Sequence, residues 1–281
     1  MAEYAHILAE VDGAVGLITL NEPSLLNRID HGPGSIEEEF LDLMEQWDRD
    51  PGVRCIVVTG AGRAFSSGGD VSGTPVDDPP AWHRFLEDNV HSNRRIRELN
   101  TPTIGAINGL CLGAGFVLAT HFDMLVASDE ARFGLIETRF GSSGAHTLTY
   151  VVGPQWAKFL ALSGEIITAD TAREIGLVLR TFPATEFLER TLDLARRVAA
   201  MPHEAVVFNR RVVNAAVSLM GWEAQMGYSA ALNTITNSVS RGARNGEGKV
   251  LSEVFREEGW TAFKKARDQA FEPPWLEPPA D

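Results

Sequence analysis

A glycine-spaced turn, Leu112-Gly113-Ala114-Gly115, stands between a β-branched run (Pro102 to Ile107) and an apolar helix that ends near His121. Small residues where a strand feeds a helix let a ligand come close to the backbone and leave amide N–H groups aimed at it. Such a turn suits an anion, or an oxygen that becomes one during a reaction. The same glycines would also serve close packing of helix on strand, and both readings stand. A second pair, Gly68-Gly69, lies in the loop GAGRAFSSGGDVSG. There a chain must turn sharply or approach a ligand closely. A phosphate-binding loop needs a lysine and a hydroxyl residue after its last glycine. Asp70 and Val71 stand at those positions, so ATP is not indicated, and plain turn chemistry also accounts for the pair. Downstream, Glu137 follows a short strand (Ala131 to Gly134), and His146 lies in the segment GSSGAHT. His121 is four residues after Val117 on one helix, hence on the same face.

The elements that must position these residues begin with a strand at Ala14 to Leu20, bounded by Asp12-Gly13 and Asn21-Glu22-Pro23. Ser35 caps a helix with Glu38 as its capping-box partner. Phe40, Leu41, Met44 and Trp47 recur on it at helical spacing, and Asp50-Pro51-Gly52 stops it. Arg54 to Thr59 reads as a buried parallel return strand, which makes a βαβ pattern. An amphipathic helix at Trp82 to Leu99 precedes the glycine turn, and a strand at Met124 to Ala127 follows it. Further helices are expected at Gln155 to Ser163 and from Thr168-Ala169-Asp170, with a last strand at Gly176 to Phe182. From Thr185 the pattern is purely helical: Glu186 to Ala200, His203 to Leu219, Trp222 to Asn237, Lys249 to Arg256 and Trp260 to Phe271. The change of period places a domain boundary near residue 200, separating residues 1–200 from a helical region at 201–281.

Composition narrows the classes. An apolar fraction of 44% over 281 residues allows a sizeable core. A net charge of −13 argues against non-specific binding to nucleic acid or an anionic membrane. Cys55 and Cys111 read as buried thiols of a reducing compartment, not as a disulfide framework or a metal site. The N-terminal residues lack the apolar core of a signal peptide, and no apolar run reaches the roughly 18 residues of a membrane span. A cytoplasmic protein is expected.

Taken in order, the runs VDGAVGLITLNEP, RCIVVTGAGRAFSSGGD, PTIGAINGLCLGAGF, FGLIETRFG and GWTAFKKARDQAF resemble the crotonase (enoyl-CoA hydratase/isomerase) superfamily. The resemblance implies an α/β fold with a crotonase-like ββα spiral core and a helical C-terminal trimerisation region. It also implies that two backbone N–H groups, here of Gly69 and Ala114, bind the thioester oxygen of an acyl-CoA. Enolate charge builds on that oxygen, and aimed donors stabilise it. Alanine at 114 keeps the N–H.

Of the two glutamates of the family's hydratases, the first is replaced here by Val117 and the second matches Glu137. One carboxylate can still shuttle one proton. The expected function is therefore acyl-CoA chemistry, most simply hydration of a 2-enoyl-CoA or a related isomerase or lyase step. Two alternatives remain. One is hydrolytic carbon–carbon cleavage of a β-dicarbonyl compound by His146 or His121; the other is a silent acyl-CoA binder. The resemblance further implies coenzyme A as part of the substrate, with no resident cofactor or metal. Gly68, Asp70, Val71 and Val117 would border the substrate, and the CoA adenine and phosphates would lie near Leu25 and Leu26 and near the C-terminal helix. Phe263, Lys264, Lys265 and Arg267 would take the CoA end, in an assembly expected to be a homotrimer or a dimer of trimers.

Overall fold

The structure is a computed structural model and describes residues 4–70, 78–142, 147–272 and 274–276. Its strands are β1 (Ile7–Asp12), β2 (Val15–Leu20), β3 (Cys55–Gly60), β4 (Ala64–Ser66) and β5 (Thr103–Ile107). They continue with β6 (Leu110–Leu112), β7 (Met124–Ser128), β8 (Arg132–Gly134), β9 (Ile166–Thr168) and β10 (Arg180–Phe182). The helices of the core are α1 (Ile36–Asp48), α2 (Pro79–Glu98), α3 (Ala114–Ala119), α4 (Leu148–Ser163), α5 (Ala169–Glu174) and α6 (Phe187–Ala199). Beyond them come α7 (His203–Leu219), α8 (Trp222–Val239) and α9 (Leu251–Asp268).

The strands form two sheets, ordered β1-β2-β3-β5-β7-β10 and β4-β6-β8-β9. Each of the pairs β3–β4, β5–β6 and β7–β8 gives its first strand to the larger sheet and its second to the smaller. Successive pairs stack in parallel. This is the expected ββα spiral. β3 is buried along its whole length because both faces of its sheet are covered. Ile56 and Val58 point into the main core, while Cys55 and Val57 meet Ala195 and Ala199 of α6. A strand buried on both faces reads as an unbroken apolar run, not an alternating one.

The corners of the spiral interlock through backbone. A Cβ on Gly60 would lie 2.2 Å from the Ala64 carbonyl oxygen, and one on Gly109 would lie 2.2 Å from that of Arg63. Asn108 donates to the Gly62 carbonyl (2.9 Å). One turn earlier, the fully buried Asn27 donates from Nδ2 to the carbonyls of Ala61 (2.9 Å) and Ala64 (2.8 Å). Its Oδ1 accepts from the Glu22 N–H.

Several elements depart from the sequence expectations. β1 is a mostly exposed edge strand whose period was unreadable, and β4, β6 and β9 are three residues each, too short to show one. α4 starts seven residues before the expected Gln155, with a kink at Gly153 ahead of Pro154. The two expected helices after Lys249 run together as α9, broken at Gly259 (φ 83°). Ser35 caps α1 through its Oγ as expected, but the Glu38 carboxylate reaches back to the Gly34 N–H instead of that of Ser35. α7 docks on the core through Arg210, which meets Asp123 (2.8 Å) and the carbonyls of Ile96, Arg97 and Leu99 at the end of α2. Among the described residues no helix is long and apolar enough to cross a membrane.

Because Asn27 satisfies three backbone groups at a positive φ of 50°, Asn27→Ala should lower unfolding free energy by about 3 kcal/mol in urea titrations. A change below about 1 kcal/mol would mean that water replaces it.

Candidate active site

Three segments leave the carboxyl ends of the adjacent parallel strands β4, β6 and β8, and each carries one of the residues singled out in the sequence. Ligands of parallel sheets bind at such ends. After β4 the chain runs through Ser67 and Gly68 to Gly69. After β6 it turns at Gly113 into Ala114 at the start of α3. After β8 it enters a short 3-10 turn, Ile136–Phe140, that holds Glu137.

The first two segments touch. A Cβ on Gly68 would lie 3.2 Å from the Leu112 carbonyl oxygen, and one on Gly69 would lie 3.5 Å from the Ala114 Cβ. The neighbours of Gly69 are tied down: the Gly68 N–H donates to Ser66 Oγ, the Asp70 N–H to the Ile29 carbonyl, and the Gly68 carbonyl accepts from Ile29. The Gly113 N–H donates to the Gly134 carbonyl (2.9 Å), while the Gly113 carbonyl accepts from Phe116 and Val117. The N–H groups of Gly69 and Ala114 themselves donate no hydrogen bond to the described residues.

The glycines here divide their labour. Gly113 has φ 53° and ψ −129°, a backbone that needs glycine. Gly115 answers to packing instead, since its Cβ would lie 2.5 Å from the Ser66 Cβ. Gly113 thus serves the backbone turn and Gly115 the close packing of helix on strand.

Glu137 closes the third side. A Cβ on Gly113 would stand 3.0 Å from Glu137 Oε1 and 3.2 Å from its Cδ, so the carboxyl lies flat against the backbone beside Ala114. The residue as a whole is half-buried, yet its Oε2 is shut off from solvent without a hydrogen-bond partner among the described residues. Burial of the charged form raises its pKa to about 7, against the pull of its own backbone amide and of the Arg267 guanidinium. Val117, one turn into α3, is buried in the apolar core and offers no proton.

The remaining site expectations fare differently. Leu26 lies beside the glycine loop, its carbonyl accepting from the Ser67 N–H (2.9 Å), and Leu25 is exposed next to it. Asp70 pairs with Arg28 at 3.3 Å. A polar cavity of about 540 Å³ opens beside Asp70, walled by His31, Glu37, Phe85 and Arg95, but Gly69, Ala114 and Glu137 do not line it. Val71 and His146 lie outside the described residues. His121 is buried, with Nδ1 2.9 Å from the Val117 carbonyl and its ring edge-on to Trp222 of α8. It thus helps to dock the C-terminal region.

Lys264 and Lys265 are exposed on α9, and Phe263 is buried against Phe140, Phe255 and Trp260. Arg267 corrects its expectation: it does not reach out for phosphate but is buried, gripped by both oxygens of Asp268 at 2.7 Å. Asp268 also receives Arg139, two residues after Glu137, at 3.0 Å. Sequence reasoning missed Ser66, Arg139 and Asp268, and nothing local signals a pair separated by 129 residues.

A spiral of ββα turns, with a buried carboxyl at its strand ends beside two amides unused among the described residues, defines the crotonase class of fold. Comparison with known proteins agrees. The family model for enoyl-CoA hydratase/isomerase matches residues 10–273, and the chain belongs to that family. A probable enoyl-CoA hydratase of Mycobacterium bovis is 33% identical over 217 residues, covering 76% of this chain and 82% of the relative. The mitochondrial enoyl-CoA hydratase of Pongo abelii is 29% identical, covering 96% and 89%. The crystal structure of an enoyl-CoA hydratase/isomerase from Xanthobacter autotrophicus Py2 superposes with a TM-score of 0.85 at 30% identity, covering 96% and 99%.

The raised pKa of Glu137 links stability to pH. The folded state holds this proton more tightly than the unfolded chain, so the contribution is complete below the ordinary value of 4.5 and is lost as pH rises through about 7. Glu137→Gln lacks the charge. It should melt with the wild type near pH 4.5 and about 3–6 °C above it at pH 8. Equal melting temperatures at pH 8, read by calorimetry, would place the carboxylate in water.

Proposed function

We propose that the protein is an acyl-CoA enzyme that hydrates a 2-enoyl-CoA through a thioester enolate, with Glu137 as its one acid–base carboxyl. The observation that carries this reading is the placement of Glu137 against Gly113, beside the unused N–H of Ala114 and the neighbouring Gly69. Ionised Glu137 takes a proton from water as the oxygen adds to C3. The C2–C3 π electrons move to C2 and the thioester oxygen, where the Gly69 and Ala114 amides hold the charge. The carboxyl then returns that proton to C2, so water is added and Glu137 is restored. A group whose pKa is about 7 has both forms at hand near neutrality. Coenzyme A enters with the substrate. Exposed Lys264 and Lys265 suit its phosphates, and Leu25 and Leu26 lie beside the glycine loop on the other flank. The buried free thiols Cys55 and Cys111 suit a reducing compartment, consistent with the cytoplasm.

The exposed apolar side chains Phe208, Val212 and Leu219 on α7, with Ile235 and Val239 on α8, favour a face covered by further copies of the chain. A homotrimer or a dimer of trimers fits this reading. Sedimentation equilibrium should give a multiple of the 30.6 kDa chain mass, and a single-chain mass at micromolar concentration would overturn the assembly.

A panel of 2-enoyl-CoA thioesters of increasing bulk tests the activity by loss of enoyl absorbance. Glu137→Gln should keep acyl-CoA binding while turnover falls about 10²–10⁴-fold. The double variant K264A/K265A should instead weaken CoA binding and flatten its dependence on salt. Full turnover in Glu137→Gln would remove it as the shuttle, and binding without turnover of any thioester by the wild type would mark a silent binder.

A further inference from the structure

The C-terminal helix carries a group that no CoA-binding role accounts for. Arg267 is 93% buried by its 7% exposure, on a helix whose lysines at 264 and 265 face solvent. Its guanidinium lies 5.9 Å from the centre of the Phe140 ring and 5.8 Å from that of Phe263, and those two rings meet edge-on at 5.8 Å. Phe140 is the last residue of the short turn that begins with Ile136 and Glu137. The same turn supplies Arg139, whose Nε donates to the Gly164 carbonyl (2.9 Å) and whose other arm reaches Asp268. One carboxylate thus serves two guanidiniums, all three of them largely withdrawn from water, with side-chain exposures of 5% for Arg139, 6% for Arg267 and 28% for Asp268. The cluster keeps a net positive charge within a few residues of Glu137.

We infer that Arg267 is a positioning residue for Glu137: by docking α9 on the glutamate's turn, the clamp of Arg267, Asp268 and Arg139 sets the field in which the Glu137 carboxyl gains and loses its proton. Coulomb forces in such a site are screened far less than at the surface. A nearby cation favours the ionised form of a carboxyl, opposing the burial that favours the neutral one. Without the cation, Glu137 would hold its proton through neutrality and fail to accept one from water. The other charges on the packed elements do not substitute. Lys158 of α4 and Glu253, Arg256, Glu257, Glu258, Lys264 and Lys265 of α9 are exposed. Tyr150 of α4 turns its hydroxyl toward the Met220 carbonyl at 3.5 Å. Asp268 is held ionised by its two arginines despite its burial, so it subtracts from the field instead of adding to it.

The inference rests on Glu137 as the proton shuttle only for its effect on turnover; the titration itself needs no substrate. The test is a pH titration of the Glu137 carboxyl carbon by NMR in protein labelled at glutamate, the signal assigned by its loss in Glu137→Gln. Arg267→Met should move the midpoint up by about one pH unit. Arg267→Lys keeps a cation and should restore most of the shift. Asp268→Asn removes the counter-charge and should move the midpoint down. A merely structural lesion would not move it in opposite directions. If both substitutions leave the midpoint within about 0.2 units, or move it the same way, while circular dichroism shows the fold intact, Arg267 is a packing residue and the inference fails. If Arg267→Met does not fold, the Asp268→Asn and Arg267→Lys titrations decide alone, the downward shift supporting the inference and its absence ending it. Should the midpoints shift as stated while Glu137→Gln still turns over substrate, the clamp stands and the proposed function falls.

Discussion

The structure depends on how closely successive turns of the spiral stack. At Gly109 the backbone of the preceding corner sits where a Cβ would be, 2.2 Å from the Arg63 carbonyl oxygen, and within that corner a Cβ on Gly60 would stand as close to the Ala64 carbonyl oxygen. Such contacts admit no larger residue without moving a strand. They hold β4, β6 and β8 in parallel register, so three chain segments separated by tens of residues emerge side by side. The placement of the Gly69 and Ala114 amides beside the glutamate follows from that register. Close stacking is therefore the condition for the site, and the glycines that look catalytic in a sequence divide between the two duties.

The site holds its carboxyl at a cost to the fold. Glu137 has an oxygen shut off from water and from hydrogen-bond donors among the described residues, which destabilises its charged form relative to the unfolded chain. Nearby, a cation pair and its carboxylate bring the end of α9 against the same turn. The C-terminal region is thus tied to the core at several places, among them Arg210 at the end of α2, Trp222 against His121, and the arginine–aspartate clamp on the turn of Glu137. The last of these meets the short turn that carries Glu137.

Much of this was legible in the chain because the relevant signals are local. The buried parallel strand at Cys55 to Gly60, the Ser35 cap, the glycine turn at Gly113 and the glutamate after β8 all announce themselves within a few residues. Strands of three residues carry no period, which hid β4, β6 and β9, although the site lies at the ends of the first two. Charge direction was also hidden. Lys264, Lys265 and Arg267 look alike as a basic run, but a helix turns about 100° per residue, so Arg267 stands about 200° round from Lys265. Only the partner at Asp268 and the rings of Phe140 and Phe263 decide that Arg267 points inward. His121 misled in the same way: the shared face with Val117 was right, and Trp222, about a hundred residues on, determines what the face is for.

Val117 bears on the kind of reaction such a site can perform. Two carboxyls in one dry cavity raise each other's proton affinity, so that they share charge and can divide the labour of acid and base. With valine at that position, burial pushes the Glu137 carboxyl up against the pull of its own amide and of Arg267. A single group must finish each cycle as it began it. It suits reactions in which the proton taken is the proton returned: addition of water across the 2,3 bond on one face, its reverse, or a proton shift along the acyl chain. Reactions that need an acid and a base at the same instant require a second group from the substrate. With valine at 117 the proposed chemistry narrows to proton-conserving steps on one face of an enolate, while the amides proposed to hold the thioester oxygen belong to backbone and do not depend on that side chain.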